Sequence, residues 1–201
     1  MKFGIRCIVL ACSIVVLSGC FSSSVSLHTK GIKEVDHTLT GLWFTSKNWH
    51  THIYLHIVLD HDKNMRLIRV ANPVSNRGER IQLDEFYIFP TKINNVRYMN
   101  LEFTNQDKDK GAYKKKYWFV KYKLVSPTEL KVWVLRHRAV ARAIKSGQLE
   151  GKVWLNGKQK RISLYESRKK LVEWLAQTKE RIDWRSPQTY KRLNKAVYRE
   201  Y

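Results

Sequence analysis

The sequence predicts a mainly β fold with some helix: an antiparallel meander that forms a barrel or a strongly curved sheet, then a hairpin and one or two helices. Apolar and polar residues alternate with a period of two from about residue 39 to residue 135. Clusters of turn-forming residues separate the alternating runs at near-regular spacing. From about residue 138 the apolar spacing becomes helical. The meander by itself leaves a barrel and a sandwich both open.

The strongest strand signal lies at residues 50–59, where Ile53, Leu55 and Ile57 alternate with polar and aromatic residues. Similar runs of alternating residues follow at 65–71, 81–89, 96–104, 113–125 and 130–135. Turn-forming clusters separate these runs at residues 60–64, 72–78, 94–95, 105–111 and 126–128.

The C-terminal part combines a hairpin with helices. Residues 138–146 have helical spacing and end at Gly147, a residue suited to the position after a helix. Asn156-Gly157 favours a hairpin turn because both residues accept positive φ angles. Ser163 or Ser167 would cap the next helix. In residues 186–201, Tyr190, Leu193 and Val197 lie three and four positions apart, and this spacing predicts a last short helix.

A chain of 201 residues with 43% hydrophobic and 27% charged residues is typical of a folded globular protein. We predict three parts: a signal peptide at 1–19, a lipidated cysteine with a polar tether at 20–38, and one β-rich domain at 39–201. Basic residues outnumber acidic ones by 38 to 17. Residues 110–201 hold 25 of the basic residues and 7 of the acidic ones, so the charge belongs to the second half.

The first twenty residues have the pattern of a processing signal. A basic start precedes an apolar run at residues 7–17, too short for the roughly 20 residues of a membrane-spanning helix. The run ends in Leu17-Ser18-Gly19-Cys20, which resembles the lipobox of bacterial lipoproteins. That resemblance implies a Cys20 that carries acyl chains such as palmitate and becomes the new N-terminus. An ordinary secretory signal is the alternative.

The same resemblance implies a location in the bacterial cell envelope. Phe21 follows Cys20 in place of the Asp that retains such proteins in the inner membrane, so we expect the outer membrane, with the domain facing the periplasm. The partner at this end of the chain is the membrane, reached through the lipid. Cys7 and Cys12 leave with the signal peptide, so the mature chain has no disulfide and no thiol chemistry.

Gly41-Leu42-Trp43, at the start of the first strand, resembles the Gly-x-Trp opening of lipocalins. The resemblance implies an up-and-down barrel that the Trp closes at one end, and a small apolar or amphipathic ligand inside. The hairpin and helices of the second half depart from the lipocalin plan.

Four residues on one strand face are candidate ligand contacts: His50, His52, Tyr54 and His56. They contact a ligand if that face lines a cavity, and they contact water if it does not. A His-x-His pair on a strand places two imidazoles about 7 Å apart, which suits zinc if a neighbouring strand supplies a third ligand. We expect no metal site and no resident cofactor, with zinc as the alternative.

Basic and aromatic residues interleave on the strands of the second half. Lys121, Lys123, Lys131 and Trp133 form a candidate surface for an anionic partner through charge and ring stacking. For an exported protein that partner is an anionic envelope polymer or an acidic protein, and nucleic acid is not expected. A basic face that serves only solubility is the alternative.

The sequence favours binding over catalysis. It has no Gly-x-Ser-x-Gly elbow, no His-Glu-x-x-His zinc motif and no phosphate-binding glycine loop. Asp84 and Glu85 are adjacent on a strand, so they point to opposite faces. We predict a non-enzymatic envelope lipoprotein that binds an amphipathic ligand. The alternatives are a basic module for assembly, stress response or inhibition, and a metal-dependent hydrolase.

Overall fold

The computed structural model of the chain describes residues 21–29, 35–47, 51–73, 80–104, 116–156 and 159–193. The predictions for the signal peptide, Cys20, His50 and the charged turn at 105–111 lie outside the described residues.

Eight antiparallel strands close into a barrel, which confirms the barrel form of the predicted fold class. Seven of them follow one another around the barrel in chain order, and the eighth returns from the C-terminal part to close it. The barrel strands are β2 (Gly41–Lys47), β3 (Thr51–Leu59), β4 (Met65–Pro73), β5 (Gln82–Ile93), β6 (Val96–Phe103), β7 (Tyr117–Ser126), β8 (Glu129–Val134) and β11 (Gln188–Arg192).

Alternation along the strands produces the barrel core. In β3, Ile53, Leu55 and Ile57 are buried inside the barrel, as the period of two predicts. The turn between β5 and β6 holds Asn94 and Asn95 at φ angles of 46° and 64°, the left-handed conformation that a tight hairpin turn requires and that asparagine tolerates. Buried residues from all eight strands form this barrel core.

One end of the barrel is closed around Trp43. The indole is fully buried, and its Nε1–H donates to the Leu39 carbonyl oxygen at 2.8 Å, from the 3₁₀ turn His37–Leu39. The Arg192 guanidinium lies over the same ring, 4.4 Å from its centre. Gly41, which starts β2, has a φ of 130°, a conformation that other residues rarely adopt.

Asp36 joins this closed end to the barrel wall. Its carboxylate accepts a hydrogen bond from the Tyr122 hydroxyl at 2.8 Å and lies 3.2 Å from the Arg97 guanidinium. Burial works to raise the pKa of Asp36, but hydrogen bonds from Thr38 and Tyr122 and the charge of Arg97 hold it below its usual value. Asp36 therefore stays ionised near neutral pH.

A second layer covers the outer faces of β6, β7 and β8. The sheet continues from β7 to β1 (Phe21–Ser23), which pairs with β7 antiparallel and with β10 (Gln159–Leu164) parallel. Strand β10 then pairs with the edge strand β9 (Gly151–Asn156). Three helices complete the layer. Its elements are β1 (Phe21–Ser23), α1 (His137–Lys145), β9 (Gly151–Asn156), β10 (Gln159–Leu164), α2 (Arg168–Gln177) and α3 (Glu180–Asp183).

The second layer has its own hydrophobic core. Aromatic side chains supply much of its volume, including Trp133 from β8 and Trp184 after α3. We call the following residues the second core: Phe21, Leu27, Ile93, Tyr98, Tyr117, Phe119, Trp133, Leu135, Val140, Ala143, Leu149, Ile162, Leu164, Leu171, Leu175 and Trp184.

The predicted C-terminal hairpin and both helices before residue 186 are present. Gly147 follows α1 with a φ of 73°. Ser167 caps α2 by accepting a hydrogen bond from the Lys170 backbone N–H at 3.4 Å. Ser163, the other candidate cap, lies within β10.

Two sequence predictions are wrong within the described residues. Residues 188–192 form β11 in place of the predicted last helix, because their backbone groups pair with both β8 and β2 and Tyr190 is buried in the barrel. The polar tether predicted over 20–38 is also wrong for residues 21–29, since Phe21 and Leu27 are buried in the second core. Tertiary contacts outweigh the local pattern in both segments.

Candidate functional site

The barrel interior holds a cavity of about 50 Å³. Its wall is almost entirely apolar, because the inward positions of alternating strands carry aliphatic and aromatic residues. Two residues of the second core line it, Phe21 and Phe119. The other apolar lining residues come from the barrel strands: Leu55, Ile57, Leu67, Phe86, Met99, Leu101, Trp118, Val120, Val132 and Val134. The interior is therefore apolar but not completely filled by its own side chains.

Arg69 lines the same cavity from β4. It is only 2% exposed, although the neighbouring inward positions of β4, Leu67 and Ala71, are apolar. Its Nη1 donates to the Asp84 carboxylate of β5, directly across the strand pair. Within the described part of the chain, its Nε atom has no hydrogen-bond partner. Arg69 is thus a buried cation beside the cavity, and its Nε is enclosed and does not face the cavity space, as is also true of the Nε of Arg66.

Asp84 connects this buried cation to the solvent. Its side chain is 39% exposed, whereas that of Arg69 is almost fully buried, so the ion pair lies where the interior meets water. A second ion pair joins these strands on the outer wall of the barrel, where Arg66 binds Glu85 diagonally across the strand pair. The two pairs face opposite sides of the sheet because strand side chains alternate.

Tyr190 also lies at the cavity wall, which it lines with its ring. Its hydroxyl donates to the Gln188 side-chain oxygen at 3.1 Å, on the same strand. Burial raises the pKa of Tyr190 well above its ordinary value, and the positive charge of Arg69 opposes this only in part. The hydroxyl is therefore protonated at neutral pH.

The candidate histidine cluster lies on the outside of the barrel. His52, Tyr54 and His56 alternate with the buried residues of β3, and none of them lines the cavity. Phe44 of β2 contacts His52 and Tyr54 on this outer wall, with ring centres 5.4 and 5.2 Å apart. The structure therefore places these side chains on the opposite side of the strand from the pocket.

The predicted basic and aromatic strip is only partly exposed. Trp133 is buried in the second core, so its ring is not open to stack on a partner. The Lys121 side chain is 13% exposed, and its ammonium lies 4.5 Å from the centre of the Trp133 ring and pairs with Glu180. Lys121 and Trp133 therefore belong to the edge of the second core.

Lys123 and Lys131 remain on the surface. Lys123 is exposed, and Lys131 lies 3.9 Å from Glu129, which also binds Lys191. A hydrogen bond from Lys191 lowers the pKa of Glu129, with help from the charges of Lys191 and Lys131. Much of the cationic surface near Glu129 is therefore locally compensated.

Sequence reasoning did not identify Arg69 or Tyr190. A signal for Arg69 was present, because the run at 65–71 places it among Met65, Leu67 and Ala71 on the predicted apolar face. A charged residue at an inward strand position indicates an ion pair or a ligand contact. Tyr190 gave no such signal, since its segment was predicted as a helix.

Two further observations concern the described residues alone. None of their helices has the length and apolar character needed to cross a membrane. No group of three or more His, Cys, Asp or Glu side chains among them is arranged to hold a metal ion.

The chain was compared with known proteins in three ways. No protein-family model matches it, no curated protein matches it, and no solved structure matches it.

Proposed function

We propose that the protein is an envelope lipoprotein that binds an amphipathic ligand inside its barrel. The observation that carries the proposal is the apolar cavity in the barrel. Binding pockets for small molecules are mostly apolar, and an apolar cavity suits the hydrocarbon part of an amphiphile.

The cavity is small for a whole lipid, so the ligand must displace part of the lining. About 50 Å³ holds a few water molecules, well below the volume of a typical ligand pocket. Met99 is a flexible side chain that fills irregular gaps, and Trp118 is only half-buried. Movement of these two side chains enlarges the cavity without opening the barrel. A single acyl chain fits this picture better than a bulky ring system.

Extraction of the purified chain tests this proposal. We expect mass spectrometry of the extract to show an amphiphile at up to one per chain. Trp118→Phe removes a fluorophore from the cavity wall, so a brominated acyl chain should quench the wild-type protein more than this variant. Trp154→Phe is the matched control, because Trp154 is exposed on the edge strand β9. No bound amphiphile, and equal quenching in all three proteins, would count against ligand binding.

Lipidation at Cys20 is the second part of the proposal. The support is the lipobox-like Leu17-Ser18-Gly19-Cys20 at the end of a short apolar run. Cys20→Ser should abolish acylation and stop removal of the signal peptide, which an upward mass shift of the unacylated chain would reveal. Cys12→Ser is the control and should leave processing unchanged. Metabolic labelling with an alkyne palmitate analogue measures the acylation directly.

A basic docking module is the second candidate function, and one observation favours it. Phe21 is buried in the second core, so a lipid on Cys20 would hold this layer close to the membrane surface. Arg168 donates from Nε to the Leu27 carbonyl at 2.8 Å, which places the start of α2 beside this segment. Arg168, Lys169 and Lys170 are all exposed there. Such cations attract anionic head groups.

Vesicle binding tests the docking function. Lys169→Glu should weaken the binding free energy to phosphatidylglycerol vesicles by about 1 kcal/mol or more, because it reverses a charge. It should also reduce the salt dependence of binding. Lys63→Glu, in the exposed turn between β3 and β4, is the control for net charge. Equal weakening by both variants would indicate a general charge effect and contradict docking through α2.

A further inference from the structure

We propose that the open edge of strand β9 is a docking site for an extended, acidic segment of a partner protein, which adds to the sheet as an antiparallel strand. The inference does not depend on ligand binding in the barrel. Its basis is the place of β9 in the sheet, the direction of its backbone groups, and the charge and the exposed aromatic ring beside them.

Strand β9 ends the sheet with one edge open. The eight barrel strands close on one another, so each of them has a neighbour on both sides. Within the described part of the chain, β9 pairs with β10 alone. An unpaired edge presents a row of backbone donors and acceptors, which is the surface that an added strand uses.

Two hydrogen bonds show which backbone groups of β9 point to the open edge. The Tyr165 N–H donates to the Glu150 carbonyl oxygen at 3.1 Å, so the side of Tyr165 that carries this group faces the β9 segment. The Leu164 carbonyl oxygen accepts from the Ser24 N–H at 3.0 Å, on the other side of β10. Bonded and non-bonded residue pairs alternate along an antiparallel strand pair. The N–H and C=O groups of residues 151, 153 and 155 therefore face away from β10, toward the open edge.

The side chains of β9 give this edge one apolar face and one basic, aromatic face. Val153 packs against the second core, and its neighbours Lys152 and Trp154 point to the opposite face, where both are exposed. Tryptophan is among the residues that contribute most to binding energy at protein interfaces. A strand added at this edge places alternate side chains beside Lys152 and Trp154, and these contacts supply selectivity.

The charge of the β9–β10 hairpin favours an acidic occupant. Residues 150–165 hold four basic residues and one acidic residue, Glu150. A lysine on an edge strand opposes pairing with a second copy of the same chain, and the net charge of +21 adds to this repulsion. An acidic segment is attracted by the same charges. The occupant that fits is therefore an extended segment with acidic side chains at alternate positions.

Peptide binding to the full chain in a non-ionic detergent tests the inference. The probe is a dye-labelled peptide of four Val-Glu repeats, and fluorescence anisotropy measures its affinity. In the antiparallel pairing, the peptide valines lie opposite Val153 and turn their N–H groups toward β9, while the glutamates lie beside Lys152 and Trp154. N-Methylation of every valine should weaken binding by about 10-fold or more, because it removes the donors that face β9. N-Methylation of every glutamate should leave the affinity unchanged. Equal affinities of the two methylated peptides would show attraction by charge alone and overturn the proposal.

A matched pair of charge reversals assigns the binding to this edge. Lys152→Glu should weaken binding of the Val-Glu peptide roughly 2–10-fold, as expected for a surface charge pair. The same variant should bind a peptide of four Val-Lys repeats more tightly than wild type does. Lys169→Glu, exposed on α2 of the same layer, is the control and should change neither affinity. If the two variants lose the same affinity for the Val-Glu peptide, the site is not at β9.

Amide exchange measured by NMR locates the bound strand. The Val-Glu peptide should slow exchange at Val153 and Leu155, whose N–H groups face the open edge, and leave Trp154 unchanged, because its N–H already faces β10. Unchanged exchange at Val153 and Leu155 would overturn strand addition. Native mass spectrometry of the chain without peptide should show a monomer. A dimer that the peptide dissociates would assign the edge to a second copy and overturn the acidic occupant.

Discussion

The barrel core and the second core share four strands, β5 to β8, but differ in what their buried residues surround. Strands β6, β7 and β8 are buried on both faces, with Val120 and Val132 turned into the barrel and Phe119 and Trp133 turned into the second layer. The second core is closed by aromatic rings and helices. The barrel core keeps a cavity and a buried ion pair.

This difference assigns different roles to the two faces of the shared strands. A side chain in a filled region contributes mainly packing energy, and a change of one methylene group is felt there. A side chain beside a cavity has room to move, and a charged group there has a cost that packing does not explain. The proposed ligand site therefore lies in the barrel interior, and the proposed contact with the membrane lies in the second layer.

The largest effect is expected from removing the tryptophan that closes each core. Trp43→Ala and Trp184→Ala should each lower the free energy of unfolding by about 3–5 kcal/mol. Both residues are almost fully buried, and Trp184 also donates from Nε1 to the Thr178 hydroxyl oxygen at 3.0 Å. Urea unfolding followed by circular dichroism should show one transition in both variants, because the cores share strands. Loss of the second layer with an unchanged barrel transition would show that the two cores unfold separately.

Replacing a buried valine by leucine should change the free energy of unfolding differently in the two cores. Val140→Leu, at a fully buried position of the second core, should cost about 1–3 kcal/mol through overpacking. Val132→Leu, at the cavity wall, should change the free energy of unfolding by less than about 1 kcal/mol and should weaken amphiphile binding. Thermal unfolding and dialysis of the two variants measure both effects. Equal destabilisation would contradict the difference in filling.

Loss of the hydrogen bond that caps α2 should lower stability without changing ligand binding. Ser167→Ala removes the side-chain acceptor for the Lys170 N–H and should cost about 1 kcal/mol. Ser167→Gly, which a cap position tolerates better, should cost only a few tenths of that. Urea unfolding gives the stabilities. Amphiphile affinity should be the same in both variants, and a marked loss of affinity would mean that α2 also shapes the cavity.

The smallest effect concerns Glu180 at the edge of the second core. A hydrogen bond from Lys121 lowers the pKa of Glu180 below its ordinary value of 4.5, with the charge of Lys121 adding to it. The stabilisation is therefore fully present above pH 4.5 and is lost as the pH falls through the lowered pKa. Glu180 is largely exposed, so Glu180→Gln should cost about 0.2–1 kcal/mol at neutral pH.

The free energy of unfolding, measured from pH 7 to pH 3, checks this contribution of Glu180. The difference between wild type and Glu180→Gln should shrink as the solution becomes acidic. Glu173→Gln, exposed on α2, is the control for removing one negative charge. A difference that stays constant with pH would assign the effect of Glu180 to something other than its ionised form.

The barrel strands were predictable because strand alternation is a local property. The alternation of Ile53, Leu55 and Ile57 predicts a buried strand face without reference to the neighbouring strand. Asn94-Asn95 likewise predicts a tight turn from two residues alone. The environment of the candidate site was not predictable in this way. His52 and His56 were assigned to a face correctly, but the sequence did not say which face would enclose a cavity. In the sequence, Lys121 and Trp133 have the alternating pattern of an exposed strand face. In the structure the second layer covers that face, so both side chains are largely buried.

The sequence by itself determined the mainly β class, the order of the meander strands, and the hairpin and helices that follow, because each depends on periodicity and turn chemistry within a few residues. The tertiary structure decided that the sheet closes, that residues 188–192 close it as a strand, and that residues 21–29 lie in the second core. It also decided that Arg69 is buried beside the cavity and pairs with the partly exposed Asp84. These features depend on hydrogen-bond partners and burial supplied by distant segments, and such contacts override the local preference of a short stretch of chain.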